Sequence, residues 1–60
     1  MQTDVRERFQ KYLDDTGARL VVLEQRVNIP HYILGKFRRG MDIWPEQLER
    51  LGEWMARQNY

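Results

Sequence analysis

The segment Leu23–Gly40, LEQRVNIPHYILGKFRRG, constrains this chain most, because its apolar residues fall where two short helices crossing at a tight turn would bury them. Leu23 and Val27 lie four apart on one helical face, Ile29 follows a turn, and Ile33, Leu34 and Phe37 form the stripe of a second amphipathic helix. This is the pattern of a helix-turn-helix. Against the stripe the second helix sets His31, Tyr32, Lys36, Arg38 and Arg39, with no acidic residue between Ile29 and Gly40. A free face that is only basic and polar is a candidate for lying along phosphates.

The flanks read as helices too. Asp4 and Glu7 have the spacing of a capping box, so a first helix is expected from Asp4, with Val5, Phe9, Tyr12 and Leu13 buried and Gly17 ending it in a left-handed conformation. The second helix is expected over about 19–27, with Asn28 as the turn residue. Pro30 sits at or next to the start of the third helix, where its missing amide donor costs nothing, and Gly40 closes it. After a loop Met41–Trp44, Pro45 and Glu46 open a fourth helix that buries Leu48, Leu51 and Met55. The fold expected is all-α: one domain over residues 1–60, a compact bundle of about four short helices with its helix-turn-helix over about 19–40. Its core is Val5, Phe9, Leu13, Leu23, Val27, Ile29, Leu34, Phe37, Leu48, Leu51 and Met55.

Composition narrows the function. A chain of 60 residues buries only about 60% of the surface exposed by its unfolded form, so stability is modest. Without cysteine there is neither a disulfide framework nor a thiolate metal site. A lone His31 offers no ligand cluster, and Asp14 with Asp15, and Glu46, Glu49 and Glu53, read as solvated faces and helix-dipole partners. Neither an enzyme nor a metal or cofactor is expected. No apolar run approaches the roughly 20 residues that span a bilayer, and no signal peptide opens the chain, so a cytoplasmic protein without membrane contact is expected. The net charge of +1 is unevenly spread: residues 1–17 carry three basic and four acidic side chains, residues 18–40 five and one, residues 41–60 two and four. The middle segment, at +4, is the one already marked by hydrophobic pattern.

Over roughly residues 18–56 the chain resembles the lambda-repressor-like family of helix-turn-helix domains, the Cro and phage-repressor type. Leu23 in the first motif helix, Ile29 ending the turn, Leu34 and Phe37 anchoring the second, Arg39-Gly40 closing it and PEQLERLGEWM beyond carry the resemblance. It departs in four places. Glu24 stands where the family has a small residue, so its carboxylate must point out or find a cation such as Lys36 or Arg39, since unpaired burial would cost several kcal/mol. Asn28 replaces the turn glycine, and Trp44 stands where Ser or Thr often caps the next helix. Leu20, Val21 and Val22 replace a polar opening; they either cap the core or, with Tyr32 and Ile33, form an exposed patch for a protein partner.

The resemblance implies a DNA-binding regulator of phage, plasmid or bacterial type with its third helix in the major groove of double-stranded DNA. His31 and Tyr32 would then read bases, Arg39 is the best guanine reader, and Arg19, Lys36 and Arg38 contact phosphates. Gly35 either lets the helix approach the duplex closely or is a weak helix position. In the blander reading the basic residues are a solvated face, with Arg39 bonding C-terminal carbonyls. The rival function is a helix-turn-helix repurposed to bind protein, as an antirepressor or an inhibitor of another regulator. Leu20, Val21, Val22, Ile43, Trp44 and Trp54 are its possible interface residues, although Trp54 reads first as a lid on the core. A third possibility is an accessory subunit of a phage or recombination complex. Because such domains often bind two half-sites, a homodimer through the aromatic C-terminal surface is also a possible partner arrangement.

Overall fold

The computed structural model describes residues 2–60 as four helices with no strand among them: α1 Gln2–Thr16, α2 Leu20–Val27, α3 His31–Arg38 and α4 Pro45–Arg57. The breaks lie where backbone freedom was encoded. Gly17 ends α1 at φ +66°, its N–H donating to the Leu13 carbonyl at 2.8 Å. Asn28 ends α2 in the left-handed region at φ 56°, ψ 45°, donating to the Glu24 carbonyl at 2.9 Å. A residue with no Cβ, or one whose short amide tolerates this region, is what such C-termini require. Pro30 then precedes α3 and Pro45 opens α4. The start of α1 differs from the expectation: the helix begins at Gln2, so Asp4 lies within its first turn instead of capping it.

α1 packs against α4 and α3, and α2 packs against α3 and α4, giving a radius of gyration of 10.0 Å. Phe9, Leu23, Val27, Ile29, Leu34, Phe37, Leu51 and Met55 are almost or wholly shielded from solvent, with Val5 and Leu13 at the margin. The Phe9 and Phe37 rings meet at 6.0 Å between centroids, so the first and third helices share the centre of the core. Burial corrects two expectations: Ile43, considered as an interface residue, is 9% exposed and belongs to the core, whereas Leu48 is only partly buried against it. Trp54, read first as a lid on the core, is 8% exposed and lies there. Trp54 is turned inward because Tyr12 of α1 meets it edge-to-face at 5.2 Å, and Tyr60 covers the same Tyr12 ring at 5.1 Å. Ile43 is drawn in by Gln2, whose side-chain amide donates to the Ile43 carbonyl and accepts from its N–H, both at 2.9 Å. No helix among the described residues is long and apolar enough to cross a membrane.

Candidate nucleic-acid interface

The position of α3 is set from its two ends. At its C-terminus, Arg6 of α1 donates through Nε to the Phe37 carbonyl at 2.6 Å and through its terminal nitrogen to the Met41 carbonyl at 2.9 Å and to Asp42 at 3.2 Å. Its guanidinium also lies 4.6 Å from the centre of the Phe37 ring. Gln10 donates to the Arg38 carbonyl at 3.0 Å. A cation at a helix C-terminus satisfies carbonyls that have no partner within the helix and complements the negative end of its dipole. With its side chain 13% exposed, Arg6 is a structural clamp.

At the N-terminus the clamp is Glu24. One of its carboxylate oxygens accepts from the backbone N–H of His31 at 2.8 Å and faces His31 Nδ1 at 2.6 Å. The carboxylate thus supplies the cap that Pro30, without a capping side chain, does not. These two hydrogen bonds from His31 hold the Glu24 carboxyl below the usual carboxylate range. The expectation that Glu24 would pair with Lys36 or Arg39 is corrected: its partner is His31, seven residues along the chain and directly across the turn.

Between the clamps the polar residues of α3 divide. At 3.6 residues per turn, Tyr32, Lys36 and Arg39 fall within an arc of about 60° opposite Leu34 and Phe37, while Arg38 stands on the flank toward the buried side. His31, Tyr32, Lys36, Arg38 and Arg39 are all exposed, as is Arg19 just before α2. None of Arg19, Lys36, Arg38 and Arg39 has an ion pair or a side-chain hydrogen bond to another described residue; Lys36 Nζ lies 5.9 Å from the centre of the Tyr32 ring. Gly35 does not face outward. It is buried beneath Leu20 and the Arg39 guanidinium, which would lie 3.6 Å and 3.4 Å from a Cβ there, ordinary contact distances that leave room for a methyl group.

The apolar residues around this face also divide. Leu20 packs against the core, whereas Val21 and Val22 are about half exposed and Tyr32 more so. Trp44 is 74% exposed and forms one wall of a cavity of about 370 Å³ whose other walls are Ile33, Lys36, Met41, Asp42 and Ile43. Sequence reading missed Gln2, Arg6 and Gln10. Their four-residue spacing along the edge of the Val5, Phe9 and Leu13 stripe was the available signal, since it puts three long polar side chains on one border of the buried face of α1. No protein family model matches this chain, and no curated protein and no solved structure matches it.

Proposed function

We propose that the chain is a sequence-specific DNA-binding regulator of phage, plasmid or bacterial type, acting without catalysis in the cytoplasm by laying α3 in the major groove of a short duplex site. The reading is supported above all by Arg19, Lys36, Arg38 and Arg39 standing exposed and unpaired around a helix whose ends are both held by side chains of other helices. In this reading His31 and Tyr32, at the start of α3, meet base edges with Arg39 as the guanine reader, and Lys36, Arg38 and Arg19 take phosphate positions. The resemblance to lambda-repressor-like domains points the same way.

The test is binding to mixed-sequence duplex DNA across a range of salt concentrations. Affinity should fall linearly on a log–log plot, and replacing Lys36 and Arg38 by alanine should make the slope shallower by about 2. Absence of binding at low salt, or undiminished binding after Lys36, Arg38 and Arg39 are all made alanine, would reject the proposal.

A second reading, a helix-turn-helix that binds another regulator, draws on the exposed Val21, Val22, Tyr32, Met41 and Trp44. Under it, Val22→Ser with Tyr32→Ser abolishes a partner complex while the circular dichroism spectrum is unchanged, and DNA binding at low salt is absent.

A further inference from the structure

A carboxylate can only accept hydrogen bonds, so the 2.6 Å contact between Glu24 and the ring of His31 is a hydrogen bond only if Nδ1 carries a proton. In the neutral imidazole one nitrogen donates and the other accepts, so a proton fixed on Nδ1 leaves Nε2 bare. The Glu24 oxygen is itself located by the backbone N–H of His31, at 2.8 Å, so ring and carboxylate are aligned by the first turn of α3 and not by side-chain contact alone. The Tyr32 ring stands edge-on to the imidazole at 6.3 Å between centroids, and Glu24 is the charged group that contacts it. His31 nevertheless remains exposed, at the end of α3 that meets base edges when such a helix enters a groove.

We infer that Glu24 is a positioning residue that holds the neutral ring of His31 in its Nδ1–H form, making Nε2 a hydrogen-bond acceptor that reads the exocyclic amino group of adenine or cytosine in the major groove. This rests on the proposed DNA-binding function and adds to it the polarity of one contact. In the major groove adenine offers N6 and cytosine N4 as donors, whereas guanine and thymine offer only acceptors there. A freely turning histidine would have no such preference, because either nitrogen can carry the proton.

Two measurements test it on the intact chain. The first needs no DNA: nitrogen-15 spectra of the His31 imidazole, taken at about pH 8.5 where histidine is ordinarily neutral, should show Nδ1 protonated and Nε2 bare. In Glu24→Ala the Nε2–H form should gain population. Glu24→Gln, whose amide can either accept or donate, should give a mixture while still capping α3. The second is selection of bound sites from random duplexes, followed by replacement of the selected adenine by purine, or of the selected cytosine by an analogue without the N4 amino group. Loss of that amino group should weaken binding by about 10-fold, and His31→Ala should remove the difference.

A wild-type ring in the Nε2–H form overturns this inference and leaves phosphate binding by Lys36 and Arg38 standing. Selection of guanine or thymine at the His31-dependent position also overturns it. A ring held as Nδ1–H in a protein that binds no duplex at low salt rejects the DNA reading and, with it, the assignment of the acceptor to a base.

Discussion

The α1–α4 half of the molecule and the α2–α3 half carry comparable numbers of cations and use them in opposite ways. In the first, Arg6 is held by two carbonyls and Asp42, Arg8 donates to the Tyr60 carbonyl at 2.6 Å, Lys11 pairs with Asp15, and Arg50 reaches both the Asn28 carbonyl and Glu46. Arg57 is the exception there. In the second, Arg19, Arg26, Lys36, Arg38 and Arg39 have no ion pair among the described residues, and the acidic residue of that segment, Glu24, is already engaged with His31. Positive charge interleaved with carboxylates produces little field beyond a Debye length; the same charge left unaccompanied on one face does. The difference separates cations that build the fold from cations free for another macromolecule.

The largest expected effect comes from Phe37, the residue that both halves share. Its ring is fully buried against Phe9 and beneath Arg6, so Phe37→Ala should cost about 3–5 kcal/mol and leave a domain this small largely unfolded in thermal and urea denaturation. A stable Phe37→Ala protein would mean that the halves do not depend on a common core. Next, Arg6→Ala removes a charged donor from two carbonyls and should cost about 1.5–3 kcal/mol by urea denaturation. Arg38→Ala, by contrast, should move stability by less than about 0.5 kcal/mol. Equal losses would erase the distinction between structural and free cations.

Smaller and opposite in sign are the effects at two helical glycines. A Cβ at Gly52 would meet only Val5 at 3.9 Å, and at Gly35 the nearest atom belongs to the flexible end of Arg39. Both Gly→Ala changes should therefore raise stability by up to about 1 kcal/mol, with Gly52→Ala gaining more. A loss at Gly35 would show that the contact with Leu20 leaves no room for a methyl group. Smallest are the pH responses, which differ by half. The Glu24 carboxyl is held low by His31, so its contribution is present above the ordinary carboxylate range and is lost as pH falls through the lowered value. The Tyr60 hydroxyl donates to Asp15 at 2.8 Å and is held above the ordinary tyrosine range by that bond, so its contribution is present below that range and is lost as pH rises through the raised value. His31 resonances should report loosening in acid, and Tyr60 resonances loosening in alkali.

Much of the bundle was legible because its cues are local. Gly17, Asn28, Pro30 and Pro45 mark helix ends by their own backbone preferences, and the spacing of Val5, Phe9 and Leu13 needs only a helical period. The candidate site was legible as a set of exposed cations on α3, but three things about it were not. Glu24 found His31 instead of Lys36 or Arg39 because the turn at Asn28–Pro30 brings the start of α3 beside the middle of α2. Gly35 proved to be covered, because Leu20 and the end of Arg39 lie over it. Ile43 was drawn inside because Gln2, far away in sequence, bonds its backbone.

What the chain's letters determined alone was where helices start, stop and turn an apolar side inward, since each of those choices is made among residues a few positions apart. Which polar side chains became clamps and which stayed free was decided only in three dimensions. Arg6 and Phe37 are 31 residues apart in sequence, Gln2 and Ile43 are 41 apart, and no periodic pattern pairs them. A hydrogen bond needs two particular atoms about 3 Å apart, and that proximity exists only after the helices have packed.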